Sequence, residues 1–113
     1  MINFKPEEFN CPCCNGNKMD DKFLTMIDEA RTIAGIPFHI NSGYRCEKHN
    51  KELKSESENH PSGKAADVRC TIGYNRLKMV SALLQVGFKR LGIGKTFIHA
   101  DTVESSPTSI WLY

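Results

Sequence analysis

His60 and Asp67 are separated by six residues in Ser57-Glu58-Asn59-His60-Pro61-Ser62-Gly63-Lys64-Ala65-Ala66-Asp67, and His99 follows in Phe97-Ile98-His99-Ala100-Asp101. Two imidazoles and one carboxylate are three ligands that a catalytic zinc accepts, leaving a fourth position for water. Zinc polarises a carbonyl and lowers the pKa of its bound water toward neutrality. If the three side chains meet in space, the chain is expected to be a hydrolase. If they do not, they are two ordinary histidines and an aspartate.

The elements that must position them can be read from periodicity. Asp20 or Asp21 caps an expected helix over residues 21–34, with Phe23, Leu24, Ile27, Ala30 and Ile33 or Ala34 at helical spacing, stopped by Gly35 with Pro37 beyond. Residues 38–41 alternate apolar and polar as a strand does, and Ser42-Gly43 then turns the chain. A short helix is expected from Glu47 to Leu53, an exposed loop over residues 54–63, and a strand over 65–70. Residues 74–86 read as an amphipathic helix with Leu77, Val80, Leu83 and Leu84 on one face, ended by Gly87. Strands are expected at 90–93 and 96–101, with a final one in the tail 109–113.

Strands this close together favour antiparallel pairing. The expected fold is α+β: a small antiparallel sheet with helices on one face, in a single domain over residues 1–113. Alternation along a strand puts Phe97, His99 and Asp101 on one face, and Ala65 and Asp67 likewise on one face. Phe97 could wall a site, and the small Ala65 leaves room beside Asp67.

A hydrophobic fraction of 40% and a charged fraction of 25% are those of an ordinary soluble globular protein. A net charge of +2, from scattered Lys and Arg, gives no electrostatic reason to expect nucleic acid as a partner. No apolar run reaches the length of a membrane span. The start Met1-Ile2-Asn3-Phe4-Lys5-Pro6 lacks the pattern of a signal peptide. The chain is thus expected to be made in the cytoplasm, with any action outside it depending on release by other means. Of the five cysteines, Cys11, Cys13 and Cys14 are compact enough for a metal knuckle that Cys46 or Cys70 could complete. Free, buried thiols are the plainer expectation.

Three stretches in order carry a family resemblance: Ser42-Gly43-Tyr44-Arg45; Ser57-x2-His60-x2-Gly63-x-Ala65-Ala66-Asp67; and Phe97-Ile98-His99-x-Asp101. Together they are similar to the zinc D-alanyl-D-alanine carboxypeptidase family, which includes dipeptidases of vancomycin resistance and endopeptidases of phage endolysins. The Glu8-Phe9-x-Cys11 lead-in and the Gly92-Ile93-Gly94 step resemble its small single-domain members. The resemblance implies the hedgehog/DD-peptidase fold, with zinc on His60, Asp67 and His99. It also implies hydrolysis of a bond involving a D-amino acid in peptidoglycan stem peptides. Arg45 matches the residue that stabilises the oxyanion. It could equally clamp a substrate carboxylate or pair with Glu47 or Glu8 on the surface.

The chain departs from the family at one position. Many relatives carry a carboxylate three residues before the last histidine ligand, where this sequence has Thr96, which cannot act as a general base. Asp101 is the best substitute as acid/base, with Glu104 and His49 behind it. Asp101 could instead orient a ligand or Arg45. Two other readings stay open: a zinc-containing module that binds cell-wall peptide without cleaving it, and a structural domain of a phage particle.

Overall fold

The computed structural model describes residues 1–53 and 59–113, so the loop expected over 54–58 lies outside the described residues, and with it Ser57, whose place three residues before His60 suggests that it stabilises that loop. Helix α1, Asp21–Ala34, begins where the Asp20 side chain accepts from the Phe23 N–H, and it ends at Gly35 in the left-handed conformation. Strand β1 is His39–Ser42, helix α2 is Glu47–Glu52 and strand β2 is Ala65–Arg69. Helix α3, Gly73–Gln85, is followed by strands β3, Arg90–Ile93, β4, Phe97–Asp101, and β5, Ser109–Leu112. The lead-in also holds one short 3-10 turn, Pro6–Phe9.

The described residues form one five-stranded sheet in the order β1-β2-β4-β3-β5. The first four strands pair antiparallel, as their short connections require. The edge strand does not follow the expected pattern. β5 runs parallel to β3, so the sheet is mixed. The chain leaves β4 after Asp101, passes β3, and joins its outer edge with Ser109 bound to Lys89 O at 3.0 Å.

One face of the sheet is core. Ala66, Val68, Leu91, Ile98 and Ala100 pack there against Phe23, Ile27 and Ala30 of α1 and Met79, Ala82 and Leu83 of α3. Each large side chain buried in this layer stabilises the fold by about 1.5–3 kcal/mol. The apolar face of α3 is rotated from the expected one. Met79, Ala82 and Leu83 are buried, whereas Leu77 is 72% and Leu84 47% exposed.

The opposite face carries the polar row. Register places Asp67 beside His99, His99 beside Gly92, and Gly92 beside Trp111, across four strands. A second row, one step along, joins Ala65, Asp101, Arg90 and Ser109. Among the described residues no helix is long and apolar enough to cross a membrane.

Candidate metal centre

Strand alternation presents Asp67 and His99 on the uncovered face, and the turn before β2 brings His60 to them. Gly63 makes that turn possible. Its φ is +76°, and a Cβ there would lie 1.9 Å from the Lys18 carbonyl oxygen. The Gly63 N–H donates to His60 O at 3.2 Å, closing the loop on the histidine.

His60 donates from Nδ1 to the Gly43 carbonyl at 2.8 Å, which leaves Nε2 as the free nitrogen, 3.5 Å from Asp67 Oδ1. His99 is held the other way round. Its Nε2 meets Asp101 Oδ2 at 2.8 Å, and its Nδ1 lies 2.9 Å from the same Asp67 Oδ1. The ligating atoms of His60, Asp67 and His99 lie within 4.8 Å of one another. In a tetrahedral site with ligands at 2.0–2.1 Å, neighbouring donor atoms stand roughly 3.4 Å apart. Two neutral nitrogens and a carboxylate oxygen at these separations fit a zinc-type ion. Each imidazole has its second nitrogen already fixed by an acceptor, the arrangement that orients a histidine toward a metal.

The charges agree with the geometry. Burial alone would raise the Asp67 carboxyl, but hydrogen bonds from His60 and His99 outweigh it and hold the group well below the usual carboxylate range. Burial alone would lower His99, and its hydrogen bonds to Asp101 and Asp67 outweigh it and raise the imidazole. Asp67 is therefore ionised at neutral pH.

Arg45 reaches the same cluster. Its Nη2 lies 3.5 Å from Asp67 Oδ2, and its Nε donates to Ser42 Oγ at 3.0 Å. The surface pairing expected as its plainer role is not the contact it makes.

Asp101 shares the strand face of His99, as alternation requires, but sits across the imidazole from Asp67. Oδ1 accepts from Arg90 Nε at 2.6 Å and from the Val103 N–H at 3.1 Å, and Oδ2 accepts from Asn59 Nδ2 at 3.3 Å as well as facing His99. The residue is 1% exposed. This is the surrounding of a carboxylate that orients an imidazole rather than of one that takes a proton from water. Of the weaker candidates, Glu104 is exposed and His49 pairs with Glu52 at 3.8 Å on α2. Thr96 is exposed, and its carbonyl accepts from the Cys70 N–H at 2.8 Å.

A family model for Peptidase M15 matches residues 2–101. The chain belongs to the M15 peptidase family. The M15 peptidases are metal-dependent, so the match and the donor set agree on a metallopeptidase. None of the curated proteins matches the chain.

Beside this cluster the structure places Trp111, Tyr113 and Arg90, of which only Arg90 went unweighed in the sequence. Trp111 lies with its ring centroid 5.6 Å from that of His99, Tyr113 with its own 6.5 Å away. Both belong to the edge strand and its end, where the sequence suggests sheet-edge packing for them. Gly92 makes room for them, since a Cβ there would stand 2.6 Å from Trp111 Nε1 and 2.5 Å from Tyr113 Cε2. Arg90, besides holding Asp101, lays its guanidinium 5.0 Å from the Trp111 ring centroid. Phe97 packs at 5.0 Å against Tyr113 rather than forming a wall alone. The parallel pairing of β5 with β3 delivers the two aromatics, a contact that no local pattern announces.

The cysteines divide. Cys11, Cys13, Cys14 and Cys46 bring their sulfurs within 4.8 Å of one another, while Cys70 is buried at the end of β2. Cys46, not Cys70, completes the expected cluster.

Proposed function

We propose that the chain is a zinc peptidase that hydrolyses a bond involving a D-amino acid in the stem peptide of peptidoglycan, as a carboxypeptidase or an endopeptidase. The observation that carries this reading is the meeting of His60 Nε2, His99 Nδ1 and Arg45 on the single carboxylate of Asp67, in a chain of the M15 family. When bound, zinc supplies Lewis-acid polarisation of a carbonyl and makes water more acidic.

The chain's own residues do the rest. His60, Asp67 and His99 would hold the metal. Gly43 O and Asp101 each fix the far nitrogen of one imidazole, which sets the tautomer and the aim of each ring. Arg45, 15% exposed at its side chain, is placed to take the oxyanion or a terminal carboxylate of the substrate. Trp111 and Tyr113 form an apolar bank beside His99, against which a peptide can lie and exclude water.

The engagement of Asp101 with Arg90, Asn59, Val103 and His99 favours one rival, a module of the same metal chemistry that grips cell-wall peptide without cutting it. The two readings part in one experiment. Zinc-loaded protein is incubated with defined stem peptides, and products are followed by mass spectrometry. Release of D-alanine, or of the fragment left by an internal cut, supports the enzyme and names the bond. Tight binding with every peptide intact overturns it in favour of the binding module.

A further inference from the structure

We infer that Cys11, Cys13, Cys14 and Cys46 form a second metal site, a four-thiolate structural zinc centre that clamps the N-terminal lead-in to the loop carrying Arg45. It is separate in residues and in chemistry from the His60, Asp67 and His99 cluster.

The distances are those of a coordination shell. With zinc–sulfur bonds of about 2.3 Å, the sulfurs of a tetrahedral site stand roughly 3.8 Å apart. Here Cys11 Sγ lies 3.7 Å from Cys13 Sγ and 3.7 Å from Cys46 Sγ. Cys13 and Cys46 are closer, at 3.1 Å, yet well beyond the about 2.05 Å of a disulfide. All four thiols are free. Four sulfurs converging from two segments, one closely spaced set and one distant residue, is the pattern of a closed structural site rather than of a catalytic one.

The backbone is shaped for thiolates. The Cys46 N–H points to Cys11 Sγ, the His49 N–H to Cys46 Sγ and the Gly16 N–H to Cys14 Sγ, each at 3.4 Å. The turn that gathers the first three cysteines is closed by Asn15 N to Cys11 O and by Cys11 N to Gly16 O, both at 2.8 Å, with Asn15 in the left-handed region at φ 56°. Gly16 packs closely there, since a Cβ would come 3.1 Å from Cys14 Sγ and 3.3 Å from the Tyr44 ring, and both neighbours would have to give by a few tenths of an ångström. Binding of a divalent cation here would release the thiol protons and leave four thiolates around two positive charges.

The location says what the site does. Cys46 follows Arg45 directly. Tyr44 donates to Phe9 O at 2.9 Å, and the Gly43 Cα sits so close to Phe9 that a Cβ would meet its backbone at 2.8 Å. The thiolate centre therefore fixes a segment that supplies both the Gly43 carbonyl for His60 and the Arg45 guanidinium for Asp67. It is a positioning device for the M15 site and takes no part in the chemistry.

Reduced full-length protein is titrated with cobalt(II), then with zinc(II), and the bound equivalents are counted. Two zinc equivalents are expected, with an intense sulfur-to-cobalt charge-transfer band that persists in His60→Ala. Cys13→Ser is expected to lose one equivalent and that band, and Cys70→Ser to lose neither. Amide exchange at Gly16, Cys46 and His49 is expected to slow when metal is added to the parent. Absence of the charge-transfer band in the unsubstituted reduced chain overturns the inference, whatever the variants do. So does a Cys13→Ser protein that binds as much zinc as the parent, or a Cys13–Cys46 disulfide in protein purified without oxidant. Failure of the His60, Asp67 and His99 reading would instead abolish the other equivalent and leave the thiolate band.

Discussion

Asp101 and Asp67 hold the two nitrogens of one imidazole between them: His99 Nε2 stands 2.8 Å from Asp101 and His99 Nδ1 stands 2.9 Å from Asp67. The ring is thereby clamped along its long axis. Only one of the two carboxylates can share a metal with it, so the other is left to aim it. Arg90 in turn holds Asp101, at 2.6 Å from Nε.

Asp101→Asn tests that division. If the carboxylate aims His99, the variant binds zinc about 10–100-fold more weakly and recovers much of its peptidase activity when zinc is saturating. A variant with full zinc content and no turnover at any zinc concentration would return Asp101 to the acid/base role. Competitive chelator titration beside steady-state kinetics separates the two.

Arg45→Ala removes the cation beside Asp67 without touching a donor atom of the metal set. Zinc content is expected to stay at the parent level while kcat/KM falls about 10²–10³-fold, the usual cost of losing an oxyanion partner. Loss of zinc together with activity would mean that Arg45 acts only through Asp67.

Gly63→Ala meets backbone, not a flexible side chain, because the new Cβ would stand 1.9 Å from Lys18 O at a φ of +76°. The left-handed conformation alone costs about 1–3 kcal/mol, and the displaced turn moves His60. Urea unfolding should show a destabilisation at or above that range, and zinc affinity should fall with it. Gly35, also at positive φ but with nothing within 4 Å, is the control, where alanine carries only the conformational cost.

The metal-free protein should be stable over a narrower pH range than the zinc-loaded one. His99 is raised above its ordinary value of 6.5, so its contribution is complete below that pH and is lost as pH rises through the raised value. Asp67 and Asp101 are lowered, so theirs is complete above the ordinary carboxylate value of 3.8 and is lost as pH falls below it. The melting temperature of the apo chain should therefore peak in mildly acidic solution and fall on both sides. Zinc removes the alkaline fall, because the metal replaces the proton on His99.

Much of this architecture was legible before any coordinates. Helix α1 announces itself by Asp20, Gly35 and a clean apolar period, and alternation alone puts His99 and Asp101 on one face. The failures have physical causes. Along α3 the apolar residues are spread so widely that two stripes fit, and packing against α1 selects Met79, Ala82 and Leu83 over Leu77 and Leu84. Trp111 gives no local sign of its position, since only the parallel pairing of β5 with β3 brings it to His99. Arg90 was findable: a hairpin turning at Lys95-Thr96 sets residue 90 opposite 101, and an arginine there faces an aspartate.

The row Asp67, His99, Gly92 and Trp111 has a consequence for how the chain tolerates change in length. Side chains alternate, so one residue inserted into β4 ahead of His99 would turn the imidazole into the core and bring an aliphatic neighbour outward. Slippage of the ladder and loss of the site are then the same event. A zinc ion bound to His60, Asp67 and His99, as proposed, would engage all three only in the correct strand alignment, and would so proofread that alignment during folding. Length variation is expected to accumulate between β4 and β5, where residues 102–108 connect strands without carrying a donor atom, and to be absent from β2 and β4.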